Sequence, residues 1–453
     1  MSIPHSPLPF EQAIARFGDR TLTPRTYLES IIEATDLQND PIQAFTTIDL
    51  DRAKHDADAA TQRYADQAPR SVIDGMPIAI KDIIHTSQFP TGMGSPLYRD
   101  WQPRSNALAV DALIEAGAII LGKTHTTEFA IGRATVTRNP HDLQRTPGGS
   151  SSGTAAAVGA GMICAGLGTQ TQGSIIRPSS YCGVFGYKPT WGVLPLDGVH
   201  PVSHSHDHLG IIANSIDTVW ALAYCIADWM PGGIKRRLAD AHPALNSQHA
   251  PLRKIAVLRT AGYDELSITE QGVFERAIER LATAGLSTVW PAQCTDLASF
   301  CSMLDTVPAD SAEMVSRDMI WPYASYCQRD DTDVSEKIST MVKRGRSVCA
   351  ERYQALLSRR SAVLHHLASL AQQYDLFVLP SASGVAPLGY ENTGSRTLAV
   401  YGSFLGAPAV SLPLLNVGSL PLGIQLLGPP QNDYTLLCHA KYLSTLLTGN
   451  KKS

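Results

Sequence analysis

The chain has 453 residues, 44% of them apolar and 17% charged, with a formal net charge of −4 and a pI near 6.4. That balance supplies a large core and argues weakly against a nucleic-acid surface, since no basic block of five or more like charges runs along the chain. The eight cysteines include no C-x-x-C pair and read as free thiols of a reducing cytoplasm rather than a disulfide framework.

From the start, the stretch Met1 to Gln12 lacks a basic segment followed by an apolar run, so no signal peptide is expected. Residues 1–70 read as helical. Thr23-Pro24 forms an N-cap and first-turn pair, and Tyr27, Ile31, Ile32 and Ala34 give a helical stripe. Asp51–Gln67 reads as a second, mostly solvated helix. Met76–Ile80 is a short apolar run, read as a buried strand that ends in Lys81-Asp82. Ala107–Ala116 reads as a helix stopped by Gly117, and Ala118–Leu121 as the next strand. Ala155–Ala160 reads as a short helix and Ile163–Leu167 as a strand leading into Gly168. The Ala155–Gly168 run is too short and too rich in Gly and Ala to cross a membrane.

Beyond residue 215 the pattern is conventional. Val273, Phe274, Ala277, Ile278, Leu281 and Ala282 line one helical face, Arg352–Gln373 is a long helix, and Leu376–Leu379 and Ala409–Leu412 are late strands. Helices alternating with short buried strands imply an α/β fold, a mixed central sheet covered by helices on both faces. With neither repeat nor linker visible, residues 1–453 read as a single large domain, its catalytic core at roughly 70–215.

Three segments carry chemistry. The first is Gly75-Met76-Pro77-Ile78-Ala79-Ile80-Lys81-Asp82. A lysine at the end of a buried strand must be solvated, paired or deprotonated, and the plain account is a salt bridge to Asp82 or another acid. The second is Pro147-Gly148-Gly149-Ser150-Ser151-Ser152-Gly153. Such a run suits a flexible loop, and it lacks the G-K-[ST] of a phosphate-binding loop. The third, from Gly168 to Pro178, holds Gly173-Ser174. That pair could be an ordinary turn, or a turn exposing a nucleophile beside free backbone N–H groups.

Taken together, these segments and the later Cys182-Gly183-Val184-Phe185-Gly186-Tyr187-Lys188-Pro189 resemble the amidase-signature family. Ala44-Phe45, the Tyr374–Pro380 segment, Gly406–Ala409 and Leu420–Gln425 extend the resemblance over nearly the whole chain. It implies hydrolysis of the C–N bond of a small amide, with Ser174 as nucleophile, Ser150 as bridging serine and Lys81 as base. It also implies a cis bond at Gly149–Ser150. The backbone N–H groups of Thr171, Gln172, Gly173 and Ser174 become the oxyanion donors, and the Ser151 hydroxyl supports the network. Serine at its free pKa is a poor nucleophile. A lysine brought down by burial from its usual value of about 10.4 would supply the missing base. No cofactor, metal, nucleic acid or membrane is implied, and a homodimer is left open.

The chain departs from the commonest family pattern, which has Asp at position 170 and Gly at 172, where this chain has Gln170 and Gln172. A positive φ at 172 would strain glutamine. Arg177 either grips a substrate carboxylate or pairs with a protein acid and braces the turn before Pro178. His200, His204, His206 and His208 with Asp207 invite a metal reading, but a structural or pocket-wall role is preferred. Cys182 is taken as core. Within the family, the amidase subunit of a transfer-RNA-dependent amidotransferase is the runner-up. A non-catalytic scaffold on the same fold is disfavoured by the intact Lys81, Ser150 and Ser174.

Overall fold

The computed structural model describes residues 8–230, 238, 243–248, 251–328 and 334–449, so the first seven residues of the Met1 to Gln12 stretch lie outside it. Helices α1 (Phe10–Gly18) and α2 (Pro24–Ile42) come first. Thr23 caps α2 by accepting the Thr26 N–H at 3.1 Å, which satisfies one of the free donors of the first turn. The stripe of Tyr27, Ile31 and Ala34 is buried.

The helical reading of residues 1–70 needs one correction. Strand β1 (Phe45–Ile48) separates α2 from α3 (Leu50–Ala65), and α4 (Leu108–Glu115) comes later in the chain. Its sequence, Phe-Thr-Thr-Ile, is aromatic and β-branched, which favours a pleated edge over a helix. Gln43 ends α2 in a left-handed conformation and turns the chain towards the sheet.

The remaining strands are β2 (Pro77–Lys81), β3 (Ile119–Thr124), β4 (Ala165–Gln170), β5 (Phe185–Lys188), β6 (His208–Ala213), β7 (Lys254–Val257), β8 (Ser287–Val289), β9 (Leu376–Pro380), β10 (Ala409–Val417) and β11 (Leu420–Leu427). Among the described residues they form one 11-stranded sheet in the order β1-β3-β2-β4-β6-β5-β10-β11-β9-β7-β8. The pairs β3–β2, β2–β4, β9–β7 and β7–β8 are parallel, and the rest are antiparallel. The sheet is therefore mixed, with helices flanking it.

Strand β4 starts two residues later than expected and runs through Gly168 to Gln170. Its glycines explain why. A Cβ on Gly166 would come within 2.7 Å of the Ala79 carbonyl, and one on Gly168 within 2.9 Å of Ser151 Oγ. Without side chains there, the short helix α5 (Ser152–Gly159) and the Ser150–Ser151 turn press directly onto the strand. Close approach thus brings the serine-rich segment beside the end of β2. Helix α6 (Ile176–Cys182) follows the Ser174 turn and packs on α5, β5 and β11.

Candidate active site

Lys81, the last residue of β2, is fully buried. Its Nζ donates to Ser150 Oγ and to Thr169 Oγ1, each at 2.7 Å, with the Thr169 carbonyl at 3.4 Å. No carboxylate forms an ion pair with it among the described residues; Asp82 turns instead to Lys123, at 3.0 Å. Burial holds the Lys81 amine well below the ordinary lysine range, against the pull of the Asp207 charge. A neutral amine among hydroxyls can accept a proton, which a salt-bridged ammonium cannot.

The Gly149–Ser150 peptide bond is cis, as the resemblance implies. Ser151 Oγ accepts from the Thr169 N–H at 3.3 Å and donates to the Thr169 carbonyl at 3.2 Å. Ser151 therefore fixes Thr169, and Thr169 fixes Lys81.

Ser174 stands in the turn after β4. Gln170 pins that turn from below. Its Oε1 accepts from Ile175 and Ile176 N–H groups at 2.8 and 3.0 Å, and its Nε2 donates to the Ala399 carbonyl and Ser403 Oγ. The positive φ of the turn, 147°, falls on Gly173 and not on Gln172, so the glutamine carries no strain there. Among the described residues, the N–H groups of Thr171, Gln172, Gly173 and Ser174 donate to no protein acceptor. Ser174 Oγ likewise has no hydrogen-bond partner among them. Ser150 and Ser174 both open onto a cavity of about 740 Å³, with Thr171 and Gln172 in the same wall.

The Amidase family model matches residues 26–437 of this sequence. The chain belongs to the amidase family. It is a hydrolase acting on carbon–nitrogen bonds. AtzE, a 1-carboxybiuret hydrolase subunit from a Pseudomonas species, is 31% identical over 444 residues, 89% of this chain and 90% of the relative. A glutamyl-tRNA(Gln) amidotransferase subunit from Chloroflexus aurantiacus is 29% identical over 460 residues, 94% of this chain and 93% of its own. A solved amidase crystal structure superposes with a TM-score of 0.82 at 25% identity, covering 97% of this chain and 99% of the other.

Other residues of this amidase fall where the sequence reading leaves choices. Arg177 pairs with no protein acid among the described residues, which corrects one of its two readings. Its Nη2 donates to the Gly149 carbonyl at 2.6 Å and to Thr393 Oγ1 at 2.8 Å, so it braces the residue before Ser150. Its Nε is buried without a partner, and burial brings its pKa down to about 10.

The His200–His208 segment does not line the cavity. His200 stacks on Tyr326 at 6.0 Å, and burial lowers its pKa to about 4 and that of His206 to about 3. Asp207 accepts from Val202 and Ser203 N–H groups and, at 2.7 Å, from Thr171 Oγ1. The segment thus ties its own loop to the Ser174 turn, in line with the structural role. No group of three metal-ligating side chains gathers among the described residues. Cys182 is buried, its thiol pushed up by burial, and belongs to the core.

Sequence reasoning misses Thr169, Lys337 and Arg396. Thr169 was within reach: β2 and β4 pair in parallel with Ile80 opposite Leu167, so the residue after Gly168 comes level with the Lys81 tip. Lys337 and Arg396 lie in no motif and reach the cavity only through the fold.

No helix among the described residues is long and apolar enough to cross a membrane.

Proposed function

We propose that the chain hydrolyses a small amide through an acyl-enzyme on Ser174, as one catalytic domain over residues 1–453. The observation that carries this reading is the buried, carboxylate-free Lys81 hydrogen-bonded to Ser150 Oγ at 2.7 Å, beside the Ser174 turn. Neutral Lys81 takes a proton from Ser150 as Ser150 takes one from Ser174, and the Ser174 oxygen attacks the amide carbonyl. The free N–H groups of residues 171–174 supply donors for the charge that develops on the carbonyl oxygen. Collapse of the tetrahedral species breaks the C–N bond. The proton returns to the leaving nitrogen, and water repeats the path to release the acid.

The test is ammonia release from a panel of amides, with hydroxylamine added to trap an acyl group on serine. Wild type releases ammonia and yields a hydroxamate, whereas Ser174→Ala stays folded and keeps less than about 1% of kcat. Lys81→Arg is equally inactive, because arginine stays charged. A Ser174→Ala protein with substantial turnover removes the nucleophile from this serine.

The glutamyl-tRNA amidotransferase subunits among the relatives favour a second reading, in which the ammonia passes to a partner chain. Glutamine hydrolysis that rises when a co-purified partner is added back would support it.

A further inference from the structure

Amide hydrolysis leaves one wall of the cavity without a task. Arg177, Lys337 and Arg396 line it, and Glu391 is the one acid in the lining among the described residues. Lys337 comes from the helix Glu336–Ser347, Arg177 from α6 and Arg396 from the loop before Tyr401–Phe404, so three distant parts of the chain converge here. A neighbouring recess of about 370 Å³ shares Lys337 and Arg396 and adds Arg344. Glu391 is exposed, and no carboxylate forms an ion pair with Arg177, Lys337 or Arg396 among the described residues.

The hydrogen bonds these cations do make are to neutral groups. Arg396 Nη1 donates to Gln172 Oε1 at 2.6 Å, while Gln172 Nε2 donates to Ser311 Oγ at 2.8 Å. The amide of Gln172 is thereby oriented with its oxygen towards Arg396, in the turn that carries Ser174. Arg177 spends Nη2 on Gly149 and Thr393 and keeps a buried Nε unpartnered. Arg177 is buried, Arg396 half-buried and Lys337 exposed, and like charges gathered along one cavity wall repel one another where no counter-charge is paired with them.

We propose that this wall binds an oxyanion carried by the amide substrate itself, a carboxylate or a phosphonate, with Arg396 and Lys337 as the contacts and Arg177 behind them. The inference rests on the amide-hydrolase reading and narrows it to anionic amides. The electrostatics agree. Neighbouring protein atoms lower Arg396, with Arg344 adding to the effect; Lys337 is exposed at the surface, and its amine is lowered by nearby protein atoms and, in the same direction, by Arg396 and Arg177. An anion in the cavity would relieve all of these. A guanidinium beside an ammonium also matches the two-oxygen face of a carboxylate.

The experiment compares three compounds of matched size: a monoamide of a dicarboxylic acid, its methyl ester, and the phosphonate analogue. kcat/KM for ammonia release is measured on wild type, Arg396→Gln and Lys337→Gln. The expected result is a preference of at least about tenfold for an anionic compound over the ester, weakening as salt rises because the attraction is screened. Arg396→Gln cuts that preference at least about tenfold. Lys337→Gln, which loses no described hydrogen bond, cuts it less. The better of the two anionic compounds identifies the oxyanion. A wild-type preference near one, or a preference unchanged in both variants, overturns the proposal while leaving amide hydrolysis standing. Calorimetric titration of the same compounds into Ser174→Ala separates the two ideas. Charge-dependent binding without wild-type turnover upholds the subsite and sinks the acyl-enzyme, and neither binding nor turnover sinks both.

Discussion

Two lysines on neighbouring strands divide structural from chemical burial. Lys81 ends β2 and Lys123 lies near the end of β3, with Ile80 opposite Lys123 and Lys81 opposite Thr124. Both side chains are 0% exposed. Lys123 has Asp82 at 3.0 Å, Thr91 Oγ1 at 2.8 Å and the Pro90 carbonyl at 3.2 Å. Lys81 has two hydroxyls and a carbonyl. Burial lowers both lysines and raises Asp82, but in the Lys123–Asp82 pair each charge pulls the other back towards ionisation. The same cost of burial is met by a counter-charge on one strand. On the other it is left to favour the neutral amine. Asp82 opens the turn that follows β2, and there its carboxylate meets Lys123 of the neighbouring strand rather than its sequence neighbour Lys81.

The largest expected effect breaks this comparison directly. Lys81→Met should lower kcat by at least about a thousandfold, since the proposed base is gone. It should cost little stability, because two hydroxyls and a carbonyl that still accepts from Ser151 Oγ lose a partner while the desolvated amine is removed. Lys123→Met leaves Asp82 buried and uncompensated, a loss of about 3–5 kcal/mol in stability. Activity titrations and thermal unfolding of the two proteins would decide it. Equal stability losses would mean that Lys81 is an ordinary buried ion and that the contrast is false.

Much of this was legible in the sequence, and the limits are instructive. Lys81, Ser150 and Ser174 sit in compact motifs because each must be delivered by a local backbone shape: a strand end, a close turn and a glycine-led turn. Helices with a clear apolar face, such as Ile268–Thr283, were found for the same reason. Strand β1 was missed because four residues carry too little periodicity to override the helical context on both sides. The plain account of Lys81 as the partner of Asp82 or another acid failed because Asp82, in the turn after β2, is taken by Lys123 of the next strand, which adjacency in sequence conceals. Lys337 and Arg396 were invisible because their role comes from convergence in space, and an isolated basic residue in sequence reads as solvated surface.

A smaller effect sharpens the comparison by altering what surrounds Lys81. Thr169→Val keeps the β-branched shape suited to β4 and deletes the hydroxyl 2.7 Å from Nζ. The lysine then has one fewer group holding its tip towards Ser150. kcat should fall about tenfold with KM little changed, alongside a stability loss of about 1 kcal/mol. Thr169→Ser restores the hydroxyl and should recover most of the rate. Failure of the serine to rescue would show that Thr169 acts through packing, and that hydroxyls are not what distinguishes Lys81 from Lys123.

The smallest effect concerns the one carboxylate that Lys81 senses without touching. Asp207 carries a charge that raises the Lys81 pKa, against the larger lowering by burial. Burial raises the carboxyl of Asp207 itself to about 6, so it is ionised above that pH. Asp207→Asn removes the charge and can keep the hydrogen bonds. The amide oxygen can still accept from Val202 and Ser203 N–H groups, and the amide nitrogen can donate to Thr171 Oγ1, a hydroxyl able to accept as well as donate. The sign follows from the amine. A nearby negative charge stabilises the ammonium, so its removal lets Lys81 lose its proton at lower pH. Activity requires the neutral amine and is lost as pH falls through the Lys81 pKa, so the acid limb of the kcat/KM profile should move to lower pH in Asp207→Asn. The plateau at high pH should change little if the turn keeps its shape. An acid limb that stays in place, or moves to higher pH, would show that the limb does not report Lys81. The role of a neutral lysine, and with it the difference from Lys123, would then have to be abandoned.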